Sequence, residues 1–485
     1  MLFHSIEFTI FLPIVFTIYW FIVNKNLRLQ NTFILISSYI FYGWWDWRFL
    51  SLIVISSVVD YSIGLLILKQ KVQTKKKLLL LVTLLINIGF LGFFKYYNFF
   101  IDSFANAYTY FGKHIEPNRL NIILPVGISF YTFQTLSYSI DVYRGRIKPK
   151  KDIIAFFAFV SFFPQLVAGP IERASNLLPQ FIRRREFSYH DSVDGMRQIL
   201  WGFFKKMVLA DNCAIIANEV FSNYQNESSG ALLVGAIFFA FQIYGDFSGY
   251  SDIAIGTAKL FGFKLMQNFA FPYFSRDIAE FWRRWHISLS TWFRDYLYIP
   301  LGGSRGNSVS KVRNIFIIFL VSGFWHGANW TFIAWGFLNA MFFLPLLLMK
   351  KNRSNVDVVA ESRILPNAKE LLQMLGTFSI TTIAWIFFRA ETIADAAGYI
   401  YKMLISDSIF FPSNILIFAN ELSTKKIIPV FVVLTIEWIN RKKEHGLQID
   451  EFRLSRFARY AVYCILFFSI LYFQGEQQEF IYFQF

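Results

Sequence analysis

The sequence predicts an all-α, polytopic integral membrane protein with about ten to twelve membrane helices, re-entrant segments and an amphipathic surface helix. The 485 residues are 55% hydrophobic and only 16% charged, whereas soluble proteins carry about 25% charged residues. Apolar stretches recur along the whole chain at about the length that crosses a bilayer. The basic residues, which give a net charge of +15, lie between these stretches as in cytoplasmic loops. The expected partner is therefore membrane lipid and not nucleic acid.

The order of apolar stretches and basic loops predicts the topology. The first stretch reads as a membrane helix and not as a cleavable signal, because Glu7 stands where a basic segment is expected. Residues 69–77 are the clearest cytoplasmic loop, and counting back two helices places the N-terminus outside. The loops 144–151 and 441–443 fit the same parity and leave the C-terminus outside. The stretches cover residues 6–23, 31–45, 49–68, 78–100, 122–143, 152–168, 195–221, 230–262, 315–349, 371–388, 427–439 and 458–473.

Two apolar stretches, 153–170 and 315–349, have basic residues on both flanks, so a single crossing of either would violate the charge rule. Pro164 and Pro170 also interrupt a helix in the first stretch, because proline lacks a backbone donor. We expect a re-entrant segment there, surrounded by protein rather than lipid. For the second stretch we expect a bent or hairpin element.

His326 is the principal candidate for a catalytic residue. It lies in a stretch without formal charge, and an ionisable side chain within a membrane segment is costly and marks a functional site. Gly323 and Gly327 beside it permit a close approach of the backbone. Asn329 would lie on the same face if the helix continued, and could orient the ring or polarise a carbonyl.

The surroundings of His326 suit a general base. Burial among Phe324, Trp325 and Trp330 is expected to disfavour the charged imidazolium and to keep the ring neutral at pH 7. The alternative is a hydrogen-bonded histidine that packs between helices and takes no part in chemistry.

Residues 275–300 are predicted to form one amphipathic helix along the membrane surface. Their apolar positions recur at spacings of four and three residues, which is typical of a helical stripe. Ser275 is the expected N-cap, and Pro300 is expected to end the helix. His286 borders the stripe and is the second candidate for a catalytic residue. The apolar positions are Ile278, Trp282, Trp285, Leu289, Trp292 and Tyr296.

The other faces of this predicted helix are charged. Arg283, Arg284 and Arg294 lie on the inferred cytoplasmic side, where they could bind the phosphates of a coenzyme A donor. The tendency of basic residues to stay in the cytoplasm explains them equally well. Asp295 is included among the supporting residues of the site.

Acidic residues in apolar stretches are further candidates. Asp246 and Asp252 lie in the stretch 230–262 and could belong to a polar centre. Equally, they could bond to a glycine-opened backbone or pair with a basic residue. Asp194 and Asp211 read as helix-end residues. We expect no metal site, because the cysteines and histidines lack the spacing of metal ligands.

A set of short motifs occurs in a fixed order along nearly the whole chain. The motifs are LPVGISFYTFQ at 124–134, FPQLVAGPIE at 163–172, GFFKK at 202–206, YGDFSGYSD at 244–252, FWRRWHISLSTWFRD at 281–295, YIPLGG at 298–303, FWHG at 324–327 and FIYFQF at 480–485. Each motif alone is weak, whereas the ordered set is specific. This set resembles the membrane-bound O-acyltransferase family, and in particular its bacterial branch with the membrane subunit of alginate O-acetyltransferase.

The resemblance implies a single membrane O-acyltransferase domain over 1–485, with core motifs in 122–349 and C-terminal helices in 371–485. It implies a helical ring in which an acyl group, usually acetyl, moves from a cytoplasmic thioester towards hydroxyls of an extracytoplasmic polysaccharide. His326 corresponds to the family's invariant histidine and His286 to its second motif histidine. No cofactor is expected to be bound; acetyl-CoA or another acyl thioester is the donor substrate.

The resemblance also implies a location and partners. The location is the bacterial cytoplasmic (inner) membrane, and the partner is a periplasmic or membrane-anchored acetyltransferase that completes the transfer to sugar, as in alginate biosynthesis. Two alternatives stay open: a teichoic-acid D-alanyl transferase, which shares several motifs, and a transporter of an acyl donor or saccharide without chemistry.

Overall fold

The computed structural model describes residues 1–112, 115–167, 169–405, 424–449, 455–473 and 478–481. The structure is 73% helical, and its described residues contain no strand. The α-helices are α1 Ile6–Thr17, α2 Leu27–Asp46, α3 Leu50–Lys69, α4 Gln73–Leu91, α5 Tyr97–Tyr110, α6 Ile128–Tyr143, α7 Ile153–Val160, α8 Phe163–Leu166, α9 Ala174–Ile182, α10 Tyr189–Phe203, α11 Asp211–Ser222, α12 Ser229–Leu260, α13 Ile278–Arg284, α14 Ile287–Phe293, α15 Ser308–His326, α16 Trp330–Leu348, α17 Ala368–Arg389, α18 Ile393–Ile405, α19 Thr424–Ile439 and α20 Arg456–Phe473. Short π-helices cover Ile18–Ile22, Gly92–Tyr96, Phe204–Ala210 and Arg294–Tyr298, and 3-10 turns cover Trp47–Phe49 and Pro272–Phe274.

Seven helical stretches of the described residues are long and apolar enough to cross a membrane. Their lengths suit a hydrocarbon core that about 20 helical residues can cross. The prediction of an all-α polytopic membrane protein is therefore confirmed. The stretches are Leu27–Lys69, Gln73–Thr109, Ser229–Leu260, Ser308–His326, Trp330–Leu348, Ala368–Arg389 and Arg456–Phe473.

The described chain divides into two compact units. Unit 1 consists of Met1–Gly195 with Thr257–Met266, and unit 2 of Met196–Gly256 with Gln267–Phe485. Both candidate histidines lie in unit 2. That residues 1–485 form one domain stays a prediction.

Unit 1 is built around the packing of α3, α4 and α6. These helices bury polar side chains as well as apolar ones. Asp60 of α3 accepts hydrogen bonds from the Thr83 hydroxyl, from Ser139 Oγ at 2.7 Å and from Asn87 Nδ2 at 3.1 Å. Since a polar group away from water must be hydrogen-bonded, this cluster fixes the three helices in register.

The predicted re-entrant segment of unit 1 is interrupted as its prolines required. Helix α7 ends at Val160, α8 covers only Phe163–Leu166, and both helices are largely buried in protein. A broken backbone of this kind suits protein surroundings, because its free polar groups need partners.

In unit 2 the stretch that holds His326 forms a helical hairpin of α15 and α16, as expected. The two helices touch at glycines. A Cβ at Gly323 would lie 2.2 Å from the Phe332 carbonyl oxygen, and a Cβ at Gly336 would lie 2.3 Å from that of Phe319. Only glycine permits so close an approach, and the turn of the hairpin then follows directly after His326.

Candidate active site

His326 is the last residue of α15 and lies at the turn of the hairpin. The backbone at Gly327 is extended, with φ −161° and ψ 156°. A Cβ at Gly327 would lie 2.0 Å from the Phe332 ring, so a larger residue does not fit. Asn329 then caps α16 by accepting from Thr331 N at 3.1 Å. The helix therefore ends at His326, and the tight packing of the turn fixes the position of its ring.

Aromatic side chains enclose the His326 imidazole. Its ring centroid lies 4.9 Å from that of Trp325, 5.1 Å from that of Trp335 and 5.4 Å from that of Phe388. All three pack edge to face against the imidazole. Trp335 also stacks on Trp385 at 5.6 Å, which gives the enclosure a second layer. The predicted apolar surroundings of His326 are confirmed, with Trp325 among them.

Two details of the predicted surroundings are wrong. Trp330 is 55% exposed, because it is the first residue of α16, beyond the turn. The tryptophan of α16 that is buried against His326 is Trp335. Asn329 does not lie on the face of His326, since the helix stops before it. Its Nδ2 donates instead to the Glu391 carbonyl at 2.9 Å, so the amide orders the hairpin turn.

The predicted helix 275–300 is broken at His286. Helices α13 and α14 are separated there, because His286 adopts a left-handed conformation with φ 43° and ψ 54°. Such a conformation is rare for a residue with a side chain and marks a constrained position. The N-cap of α13 is Asp277, whose Oδ1 accepts from Glu280 N at 2.7 Å, and not Ser275.

The break turns the imidazole of His286 inwards. The expected apolar stripe faces protein rather than lipid, and both Trp285 and His286 are buried. The Phe247 ring packs edge to face on the imidazole at 4.6 Å. A continuous helix could not place this ring in the interior while leaving Arg283 and Arg294 exposed.

Asn268 determines the tautomer of His286. Asn268 Oδ1 accepts from Ser288 N at 3.3 Å and from Ser288 Oγ at 2.9 Å, which identifies this atom as the oxygen. His286 Nδ1 lies 3.0 Å from the same oxygen and must therefore donate. Nε2 of His286 is left as an acceptor, and no described residue bonds to it. Burial lowers the pKa of His286 to about 3, so the ring is neutral.

The two histidines lie together. Their ring centroids are 6.4 Å apart, and Trp325 lies 6.0 Å from His286 as well as against His326. Asn268 Nδ2 is a second buried polar atom without a partner among the described residues. The site thus combines two imidazoles with an amide N–H donor, which suits proton transfer and stabilisation of a developing oxyanion.

Asn268 was not predicted. It lies in the non-helical segment between α12 and α13, which backbone hydrogen bonds tie to the break at His286. Ile287 N donates to the Asn268 carbonyl at 2.9 Å, and Ala270 N donates to Arg284 O at 2.9 Å. An amide in a loop carries no periodic signal, so only the long-range contact reveals it.

Asp246, a predicted supporting residue, belongs to a buried ion-pair network. The Lys206 ammonium lies 2.8 Å from carboxylates of both Asp246 and Asp211. The neighbouring Lys205 lies 2.6 Å from Asp252 and 3.9 Å from Glu437. Pairing with a basic residue, one of the readings left open, is therefore what the structure shows for both aspartates of the apolar stretch.

The end of the described chain packs against this network. Ile481 N donates to Asp246 Oδ2 at 2.7 Å, and Lys206 donates to the Gln478 carbonyl at 3.1 Å. The Phe480 ring lies 6.3 Å from that of Phe247, which in turn packs on His286. Residues 478–481 thus support the wall of the site from behind.

The predicted donor-binding arginines already have protein partners. Arg283 donates to the carbonyls of Asn352, at 2.9 Å, and Asn355, at 2.5 Å. Arg284 pairs with Glu280 at 2.8 Å. Arg294 is exposed and pairs with Asp295 at 2.8 Å.

A family model and several known proteins match this chain over most of its length. The model of the membrane-bound O-acyltransferase family matches residues 45–388. The "probable alginate O-acetylase" of Pseudomonas syringae pv. tomato is 42% identical over 398 residues, covering 82% of this chain and 73% of that protein. The peptidoglycan O-acetyltransferase of Helicobacter pylori is 36% identical over 422 residues, covering 81% and 78%. The teichoic acid D-alanyltransferase of Streptococcus thermophilus is 30% identical over 317 residues, covering 60% and 75%.

The chain therefore belongs to the membrane-bound O-acyltransferase family and is a multi-pass membrane acyltransferase. The histidine pair lies within the matched region, whereas residues 478–481 lie beyond it.

Proposed function

Because the chain is a membrane-bound O-acyltransferase, we propose that it moves an acetyl group from a cytoplasmic acyl thioester, such as acetyl-CoA, towards hydroxyls of an extracytoplasmic polysaccharide. The main support for the proposal is the buried pair of His286 and His326, whose ring centroids lie 6.4 Å apart. Relatives named for acetylation of alginate and of peptidoglycan support polysaccharide as the acceptor class and acetyl as the group.

His326 is the general base of this proposal. Its ring takes the proton of the attacking hydroxyl while the oxygen forms a bond to the thioester carbonyl carbon. Collapse of the tetrahedral intermediate breaks the carbon–sulfur bond, and the leaving thiolate takes up that proton. The aromatic wall excludes water, which would otherwise hydrolyse the thioester.

His286 and Asn268 act beside the base. Nε2 of His286 can accept a hydrogen bond from a hydroxyl and hold it in place, since Nδ1 is committed to Asn268. The Asn268 amide N–H can donate to the carbonyl oxygen as negative charge develops on it. One donor of this kind contributes about 100- to 1,000-fold in rate.

The setting follows from the same proposal. The protein lies in the bacterial cytoplasmic membrane with both termini outside, so that the basic loops face the cytoplasmic donor. A periplasmic or membrane-anchored acetyltransferase receives the acyl group and completes its transfer to sugar.

The test reconstitutes the full chain in vesicles with acetyl-CoA labelled in its acetyl group. An acyltransferase releases free coenzyme A thiol and passes the label to an added hydroxyl acceptor, which is either an acidic or amino-sugar oligosaccharide or the partner acetyltransferase that completes the transfer. Accumulation of intact acetyl-CoA inside the vesicles without release of thiol would instead establish a transporter.

D-alanyl transfer to teichoic acid is the second candidate, supported by the relative from Streptococcus thermophilus. A D-alanyl carrier-protein thioester that releases thiol in the same vesicles while acetyl-CoA does not would select it.

A further inference from the structure

A pocket in unit 1 has features that acyl transfer does not use. It encloses about 520 Å³ between the end of the first apolar helix and the loop that follows α9. In the predicted topology, the end of the first apolar helix and the basic residues 183–185 lie on the cytoplasmic side of the membrane. The lining residues are Phe16, Trp20, Phe21, Asn24, Arg184, Arg185, Glu186 and Phe187.

Arg185 lines this pocket as a buried cation without an anionic partner among the described residues. Its Nη2 donates to Gln30 Oε1 at 2.9 Å and to Asn31 Oδ1 at 2.7 Å, and its Nη1 donates to the Gln180 carbonyl at 3.1 Å. Nε donates to the Tyr19 hydroxyl. All four acceptors are neutral.

This arrangement leaves the positive charge of Arg185 uncompensated. A guanidinium has five N–H donors, and four of the five are engaged. Burial of a cation without a counter-charge is costly, so an anion in the pocket would be favoured. Arg184 and Glu186, both exposed, also line the pocket, so that two positive charges stand against one negative charge and the net charge of the lining is positive.

The other walls of the pocket are aromatic and fixed. Trp20 donates from Nε1 to the Leu260 carbonyl at 2.9 Å, and its ring packs edge to face on Phe187 at 5.5 Å. Phe16 packs on the same Phe187 ring at 6.2 Å. Phe21 is 77% exposed beside the pocket. A ligand that fits must therefore offer an anionic group and an apolar portion together.

We propose that this pocket binds an anionic phospholipid of the cytoplasmic leaflet, with its phosphate on Arg184 and Arg185 and its acyl chains along the aromatic wall. Basic pockets between membrane helices on the cytoplasmic side bind such headgroups. Asn24 and Glu186 also line the pocket and can bond to headgroup hydroxyls. The aromatic wall beside an apolar helix selects a lipid over a soluble phosphate.

The test measures lipid binding to the full-length protein in detergent by native mass spectrometry. The probes are phosphatidylglycerol and phosphatidylcholine with identical acyl chains. We expect the wild type to prefer phosphatidylglycerol and Arg184→Gln to lose about five-fold of that preference, the effect of one basic residue near an anionic headgroup.

Arg183→Gln is the matched control, because Arg183 is an exposed neighbour that does not line the pocket. The control should keep the preference. Equal losses in the two variants, or no preference in the wild type, would overturn the proposal. Glycerol 3-phosphate is the second probe: displacement of phosphatidylglycerol by an equal concentration of it would show a soluble-phosphate site and refute the lipid assignment.

Discussion

Two buried charged residues of unit 1 and the buried lysines of unit 2 are stabilised in different ways. In unit 1 Asp60 and Arg185 are held by hydroxyls, amides and a carbonyl, all of them neutral. In unit 2 each buried lysine lies among carboxylates, with Lys206 2.8 Å from both Asp211 and Asp246. Ion pairs compensate charge within the protein, whereas neutral partners satisfy hydrogen bonds and leave the net charge in place.

This difference in how charge is compensated distinguishes the residues that support the fold from those that can bind a substrate or ligand. The two lysines of this network in unit 2 have their carboxylate partners within the protein. The network also supports the wall behind His286 through Phe480 and Phe247. Both histidines lie in an aromatic enclosure, where Nε2 of the neutral His286 is available to substrate. In unit 1 the net charge at Arg185 points to a ligand from outside the chain.

The largest effect on stability is expected for the loss of a buried lysine in unit 2. Lys206→Met leaves two carboxylates without their cation, and we expect a loss of about 3–5 kcal/mol in the free energy of unfolding. The thermal midpoint of the detergent-solubilised protein measures it.

Arg48→Met is its control, since Arg48 pairs with Asp46 at 2.6 Å with 62% of its side chain exposed. Exposed pairs contribute about 0–1 kcal/mol. Similar losses in both variants would remove the distinction between a buried ion-pair network and an exposed pair.

The neutral histidine of unit 2 predicts a pH dependence of stability. Its pKa is lowered from 6.5 to about 3. Below pH 6.5 the unfolded chain binds a proton that folded His286 does not, so stability is lost as the pH falls towards 3. The slope contributed by this group approaches about 1.4 kcal/mol per pH unit.

Thermal midpoints between pH 7.5 and pH 5 measure this slope. His286→Gln replaces the titrating imidazole by a neutral amide that can still form hydrogen bonds, so its midpoint should fall less steeply than that of the wild type. Parallel curves for the two proteins would show that His286 titrates alike in the folded and unfolded states.

The smallest effect on stability is expected for a substitution of the buried Asp60 in unit 1. Asp60→Asn exchanges an anion for a neutral acceptor of the same shape among hydroxyl donors, so we expect a cost of about 1 kcal/mol. The same change at Asp246 weakens the partner of Lys206 and should cost more. The thermal midpoints of both variants measure these costs. A larger loss of stability for the substitution at Asp60 than for the one at Asp246 would contradict this expectation.

The sequence predicted those features that depend on hydrophobic pattern and flanking charge. The apolar stretches, the interrupted segment 153–170 and the hairpin at His326 all follow from these. The break at His286 does not, because the apolar spacing continues unchanged from Trp282 through Leu289 and a left-handed residue leaves no trace in that spacing.

The hydrophobic pattern also could not predict the residues that act through long-range contacts. Asn268 reaches His286 across 18 residues of sequence, and Arg185 meets Asn31 across 154. The roles of His286, His326, Trp325, Asp246 and Asp295, and of the three arginines, stay predictions. The structure adds where each of them lies.

The catalytic role of His326 is tested most directly by the rate of thiol release from acetyl-CoA by purified His326→Gln in vesicles with acceptor. We expect this rate to fall by about 100- to 10,000-fold, which is the contribution of a general base. His190→Gln serves as control, because 85% of the His190 side chain is exposed and it lies outside the site. A His326→Gln rate equal to that of the control would contradict the catalytic role of the histidine pair.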